Sequence, residues 1–354
     1  LTCLSAVTWR GWLGSAFCCL VAPMGNEVMM RLRHEQFDAL KCWAILWVVL
    51  GHLADYRSGS GLFQSIFLFA YSWHMPVFIF LSGLFDRPRD EFPAGKVAFF
   101  LAVGILYKLL NFYVGYLLGS RSFWLLGDAG APWFMFAIAG WIALAWLFRR
   151  MPFLPVLAAS LVLSLAVGYD NGVGDYLYLS RIVALFPIYW VGFKLSSGDV
   201  LKTMQRSWIL IVSVFLLAGW GVACLVEAEA IQFLRPMFTW RNPYSVLEMG
   251  GGMFWRVVAY AVAGLLTAAH LGVFLNLKLP AFFSEIGKRT LSVYFWHTPA
   301  ITILVASGFY NTLFYVGPVG KLALLFIGAL MCWLFSRDLF MRPLERVRAS
   351  IGAT

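Results

Sequence analysis

Charge is what this chain has least of. Only 12% of its 354 residues are charged, where a soluble domain carries about 25%. With 61% hydrophobic residues, a fold solvated by water on all sides is excluded, and the bilayer is the expected solvent for most of the chain. Acidic residues are the scarcer sign, 17 against 27 Lys and Arg, for a formal charge of +10. That excess is no nucleic-acid footprint, because the bases are scattered through short connections rather than gathered in a patch. Nucleic acid is therefore not expected as a partner. Cysteine is sparse at six, with no C-x-x-C and no Cys/His group at metal spacing. Neither a disulfide framework nor a metal site is expected, and Cys42 and Cys332 read as small buried hydrophobes. There is no G-x-S-x-G, no Walker sequence and no dinucleotide fingerprint. No paired carboxylates lie deep in an apolar run, so neither serine-hydrolase chemistry nor ion-coupled pumping has support.

What is abundant is apolar run length. Ten spans are expected at 37–55, 62–85, 97–118, 133–148, 153–168, 179–195, 208–226, 254–275, 291–307 and 321–340. Turn chemistry marks the breaks, as at Arg57 to Gly61, Gly127 to Pro132, Asp170 to Gly172 and Ser196 to Gly198. Aromatics reach 18%, with 16 Trp, which suits belts at both interfaces. With the N-terminus inside, nineteen Lys and Arg fall on inner segments and seven on outer ones, and the remaining one, Lys108, lies within a span. The expectation is an all-α polytopic helix bundle with both termini cytoplasmic.

Residues 1–30 are expected to be an extension, untranslated or disordered: 11–22 is apolar but too short to span, and Met24, Met29 and Met30 are alternative starts. Residues 31–345 would form the membrane domain and 346–354 a cytoplasmic tail. One long outer connection, 227–253, breaks the pattern of short loops. Its aromatic content argues against disorder.

Five histidines exist, and three of them, His52, His74 and His297, sit well inside expected spans. Ionisable groups there are costly and functional by default. An imidazole titrates near neutral pH and can pass a proton between partners, so a shared intramembrane cavity holding a general base is expected. The competing reading is a histidine satisfied by a neighbouring helix carbonyl or packed at an interface. Asp38 and Lys41 lie at i and i+3 at the cytoplasmic end. Fourteen residues separate Asp38 from His52, about 21 Å at 1.5 Å per residue, which forbids a direct pair. Asp38 is instead placed with the catalytic set as organiser of the helix entrance or of a donor-binding wall. Lys41, Arg87, Arg89, Lys288 and Arg289 are candidates for a donor's phosphates, ordinary topology anchoring being the alternative. Trp240, Arg241 and Tyr244 on the long connection are candidates for the acceptor, with interfacial anchoring as the alternative.

These residues carry a resemblance. The run F-D-A-L-K-C-W-A-I-L-W-V-V-L-G-H over 37–52, H-M-P at 74–76 leading to F-L-S-G at 80–83, P-W-F at 132–134, Phe186-Pro187 through Val191-Gly192, and I-G-K at 286–288 leading to L-S-V-Y at 291–294 and His297 resemble the membrane acyltransferase 3 family. The resemblance runs from about 33 to 340 and agrees with ten spans. It implies an O-acyltransferase of the bacterial inner membrane, using a cytoplasmic acyl-CoA, usually acetyl-CoA, as donor substrate and no permanently bound cofactor. The acceptor it implies is a hydroxyl of a cell-surface glycan, glycolipid or precursor. His52 takes the place of the family's first-span histidine, as base or acyl relay, and His74 that of the second-span histidine. Trp133 and His297 would join the acceptor side. The R-x-x-R of some members is replaced here by Arg87-Pro-Arg89. No esterase-like domain follows Thr354, so the expectation is a chain that acts alone. A glucan succinyltransferase and, in a different class, an exporter of a lipid-linked sugar are the alternatives.

Overall fold

The computed structural model describes residues 35–57, 59, 61–119, 123–124, 126–127, 130–247 and 250–352; the expected extension at 1–30 lies outside them. Among the described residues, seven helices are long and apolar enough to cross a membrane and three shorter apolar ones accompany them. The chain is a polytopic helical membrane protein. The crossings are α1 (Glu35–Asp55), α2 (Gly61–Tyr71) continued by α3 (His74–Leu84), α4 (Ala94–Leu117), α5 (Trp133–Phe148), α6 (Phe153–Ala166) and α7 (Leu179–Lys194). After a short α8 (Ser197–Met204) comes α9 (Ser207–Val226), and after α10 (Ala228–Ile231) and α11 (Arg235–Phe238) comes α12 (Gly252–Phe274). Then follow α13 (Ala281–Lys288), α14 (Thr290–Ala306), α15 (Phe309–Tyr315), α16 (Pro318–Phe335) and α17 (Asp338–Ile351). Each expected span maps onto one crossing. The tenth ends at Phe335 rather than 340, because Ser336 and Arg337 interrupt the apolar run. The tail boundary expected at 345 falls inside α17.

Polar contacts collect at two rims, which confirms the alternation of the spans. At the rim where α1 starts, Gln36 donates to the Leu275 carbonyl (2.8 Å), Gln205 to the same carbonyl (3.0 Å), Lys194 to that of Arg149 (2.9 Å), and Arg289 pairs with Asp338 (2.6 Å). At the opposite, far rim, Asp55 pairs with Arg235 (2.7 Å), Arg241 with Asp175 (2.7 Å), and Arg57 donates to Asn311 (2.8 Å). A span missed or added would have mixed these two sets.

Between the rims, small residues set the helix approach, since lipid offers no hydrophobic drive for helices to associate. α3 crosses α7 at Gly83 and Gly192. A Cβ on Gly83 would lie 2.2 Å from the Tyr189 carbonyl oxygen, and one on Gly192 2.2 Å from that of Phe80. Gly287 of α13 likewise leaves room for the Asp38 carbonyl of α1, which a Cβ would meet at 1.8 Å. The glycines of the L-S-G, V-G and I-G-K motifs are thus the places where backbones touch.

The second span is not one continuous helix. Proline has no N–H to give the Ser72 carbonyl four residues back, and the chain breaks at Ser72 and Trp73 before Pro76. The break makes His74 the first residue of α3. At the near rim Asp86 then secures the end of α3, accepting from Lys96 (2.7 Å) and from the Tyr189 hydroxyl (2.7 Å).

Candidate active site

His52, His74 and His297 come together, while His270 of α12 is stacked on Trp73. The His52 and His297 rings lie 5.1 Å apart, and Tyr71 links the remaining member, its ring 6.1 Å from His52 and 5.1 Å from His74. Three separate crossings, α1, α3 and α14, deliver them, so no local pattern in the sequence could show the cluster. Two of the rings are fixed by backbone. His74 Nδ1 meets the Ala70 carbonyl at 2.5 Å and His297 Nδ1 that of Tyr294 at 2.7 Å. A carbonyl only accepts, so each Nδ1 carries the hydrogen and each Nε2 keeps its lone pair. For His297 that lone pair faces the Thr298 hydroxyl (3.2 Å), whose oxygen is then left to accept from the Tyr107 hydroxyl (2.7 Å). His52 has no hydrogen-bond partner among the described residues and lines an open cavity. The arrangement is two anchored imidazoles behind one that is free to act. The carbonyls that anchor His74 and His297 lie four and three residues back along the chain, in the same crossing rather than a neighbouring one.

The cavity has a volume of about 330 Å³ and opens toward the far rim. His52, Tyr71 and His74 form its floor, and the long connection between α9 and α12 forms its roof through Arg235, Phe238, Thr239, Trp240 and Arg241. The roof is held firmly. Arg256, fully buried in α12, donates to the Asn242 carbonyl (3.0 Å) and lies 5.6 Å from the ring centres of Trp240 and Tyr244. Ser180 donates to the Trp240 carbonyl (3.2 Å), and Asn242 to the Thr239 hydroxyl (2.7 Å). Trp240 itself sits at φ 62°, in the left-handed region, a conformation that costs a bulky residue roughly 1–3 kcal/mol.

Of the expected acceptor residues, Trp133, Trp240 and Arg241 line the cavity. Tyr244 does not: its hydroxyl donates to the Leu165 carbonyl (2.9 Å), and its ring fills the space over Gly168 and Gly252. His297 stands behind His52 rather than in the cavity wall. Asp38 is at the near rim, paired with Lys41 at 2.5 Å, and the structure does not bring it to the histidines. The residues missed by sequence reasoning are Asp55, one turn beyond His52 at the cavity mouth, Arg181, which lies over the Trp133 ring at 4.8 Å, and the Tyr107–Thr298 pair. Asp55 follows His52 at helical spacing, and that was the one available signal.

A second cavity of about 220 Å³ lies on the near side, with Lys41, Ser82 and Thr290 among otherwise apolar walls. Tyr294 lines both cavities and donates its hydroxyl hydrogen to the Ala131 carbonyl, so one ring forms a shared wall. Of the expected donor residues only Lys41 lines this cavity. Arg87 and Arg89 are exposed on the connection before α4. Lys288 donates to Glu285 (2.7 Å), a bond that holds the carboxyl below and the ammonium above their ordinary values. Arg289 is turned toward Asp338 and the Ser336 carbonyl.

A family model described as an acyltransferase domain matches residues 34–337. No curated protein and no solved structure matches the chain.

Proposed function

The chain belongs to the acyltransferase 3 family and is a membrane acyltransferase, and from that premise we propose that it moves an acyl group, acetyl first among the candidates, from acyl-CoA at the near rim to a glycan hydroxyl at the far rim. The near rim is then cytoplasmic, the membrane a bacterial inner membrane, and the far rim extracytoplasmic. The observation that carries this reading is the convergence of His52 and His74 on the floor of a cavity open to the far rim, with His297 directly behind His52. Acyl transfer from a thioester requires removal of the hydroxyl proton as the new C–O bond forms, and a free imidazole at the inner end of that cavity supplies the base.

The step balances simply. A ring nitrogen of His52 takes the hydroxyl proton, the oxygen attacks the thioester carbonyl, the C–S bond breaks, and the CoA sulfur leaves with the proton. In the alternative order His52 first takes the acyl group and releases CoA, then yields it to the acceptor. The near-side cavity supports entry of the donor's arm past Lys41, with Lys288, Arg289, Arg87 and Arg89 on the same rim for its phosphates. Trp133, Trp240 and Arg241 line the side where the acceptor lies.

Purified protein in nanodiscs with acetyl-CoA and a glycan acceptor tests the reading. CoA thiol should appear only when acceptor is present. Consumption of no acyl-CoA with any acceptor, together with movement of a lipid-linked sugar, would make it a transporter instead. A cysteine in place of exposed Ser245, next to Asn171 at the far rim, should react with an impermeant reagent added outside intact cells. Labelling only after permeabilisation would invert the orientation.

A further inference from the structure

We propose that α17 is a docking surface for acidic phospholipid headgroups, held at the near rim beside the lipid-facing side of α16. This surface is independent of the acyl-transfer reading.

α17 is amphipathic at helical spacing. Phe340, Leu344, Val347 and Ile351 recur at i, i+4, i+7 and i+11 and form its packed face, with Leu344 buried and the others half-buried. Leu339, Arg342 and Arg346, at i, i+3 and i+7, share another face, and all three are exposed. Two observations lay the helix along the rim rather than across it. Its first turn follows directly on α16, which ends at the near rim. Near its other end the Arg348 guanidinium lies 5.0 Å from the ring centre of Phe99. Phe99 is about 8 Å along α4 from the near-rim residue Ala94, at 1.5 Å per residue. Interfacial helices lie at this depth, their apolar face about 5–10 Å into the boundary between headgroups and acyl chains. The lipid-facing side of α16 leads to the same corner. Phe326, Leu330 and Trp333 are exposed at i, i+4 and i+7, Arg337 lies over the Trp333 ring at 4.8 Å, and Leu339, 64% exposed, follows two residues on.

Little of the positive charge here is neutralised. Arg337, Arg342, Arg346 and Arg348 stand against Asp338 and Glu345. Asp338 is taken by Arg289 (2.6 Å). Arg337 donates to neutral oxygens, the Trp333 carbonyl (3.0 Å) and the Ser336 hydroxyl (3.2 Å). Arg342 and Arg346 have no ion pair or hydrogen bond among the described residues. Crediting Glu345 to one arginine still leaves three. The corner is also firmly mounted. Ser292 donates to the Phe335 carbonyl (2.7 Å), Arg289 to that of Ser336 (2.9 Å) and the Trp296 indole to that of Phe340 (3.0 Å). These bonds fasten the start of α17 to α14, so the arginine face is held in one orientation. A guanidinium meets a phosphate through its planar fork. An acidic phospholipid adds a net negative charge to that phosphate and brings an acyl chain for Leu339; a zwitterionic one lacks the net charge. The phosphates of a CoA donor share this chemistry, so the experiment has an arm for each source.

The full chain in detergent is titrated with phosphatidylglycerol or phosphatidylcholine of the same acyl chains, and native mass spectrometry counts the lipid bound. The first phosphatidylglycerol should bind about 25-fold tighter, roughly fivefold for each of Arg342 and Arg346. Arg342→Gln combined with Arg346→Gln should bring the ratio close to one. Arg342→Lys with Arg346→Lys should keep most of the preference, because the charge is retained. Should the Gln pair not fold, Arg346→Gln alone should leave about a fivefold preference. Equal affinity for both lipids, or a preference undiminished in the Gln variants, overturns the proposal and leaves these arginines as orientation signals. The donor arm measures acetyl-CoA binding in phosphatidylcholine nanodiscs. The Gln pair should leave that affinity unchanged. A loss there would give the arginines to the donor's phosphates and overturn the assignment to lipid.

Discussion

The segment Gly61–Leu84 and helix α9 are both full crossings, and they are built on opposite terms. α9 is the most apolar of the seven long spans, yet only 11% of its central window is buried; for Gly61–Leu84 the share is 83%. α9 is unbroken, with Phe215 74% exposed and open space around Gly219. Gly61–Leu84 is interrupted at Ser72 and Trp73, carries His74, and touches α7 at Gly83. In water the most apolar segment seeks the core; in lipid it is the one that can be spared to face the acyl chains. Here polarity and small side chains, rather than hydropathy, mark the functional centre.

The largest effect that tests this contrast lies at the centre. His52→Ala should lower acyl transfer about 10²–10⁴-fold, the usual value of a positioned base, with the yield of folded protein unchanged. Turnover close to that of the parent protein would end the assignment of His52. A matched glycine pair comes next. Gly83→Ala should destabilise by about 1–3 kcal/mol, because the new methyl meets backbone that cannot move aside. Gly219→Ala should be neutral or stabilising by up to about 1 kcal/mol, as for any exposed helical glycine. Unfolding in mixed micelles monitors both, and equal effects would erase the distinction between the two spans. Tyr107→Phe removes the hydroxyl that reaches His297 through Thr298, and should slow transfer about 2–10-fold, one net hydrogen bond. Its stability should stay near that of the parent protein. The smallest effect belongs to α9: Phe215→Leu should leave both stability and turnover within error, and a clear loss of turnover would mean that this face meets a partner rather than lipid.

The helix count and the three histidines were legible because both depend on local composition. An ionisable group in an apolar run stands out without knowledge of the fold, and so does a hydrophobic stretch of spanning length. The break before Pro76 was visible as a proline but not as the device that turns His74 toward His52. Asp38 is prominent near the start of α1 and lies at the near rim with Lys41, whereas the carboxylate beside His52 is Asp55, hidden among the polar residues that end the helix. Arg181 reads in the sequence as one more topology cation; its role in the cavity wall depends on Thr239 and Asp175, 58 positions after it and 6 before it. The roof at 235–241 has no periodicity to announce where it folds back. Such placements depend on contacts between distant parts of the chain, and hydropathy carries no record of them.

Tyr294 has an electrical consequence. If water fills the cavities on its two sides, the insulating layer shrinks to little more than one ring, and most of the transmembrane potential falls across it. On the proposed reaction an acyl cation equivalent leaves the near side and a proton can return in exchange. Passage of the acceptor's own proton to the CoA sulfur makes the cycle electroneutral. Release of that proton at the far rim, with the sulfur protonated from the near side, moves one charge per turnover and couples the reaction to voltage by about 2.3 kcal/mol per 100 mV. Turnover in proteoliposomes clamped with potassium and valinomycin therefore tells which way the proton goes: a rate and extent indifferent to potential place it on the path past Tyr294, and a steep dependence places it in the far compartment.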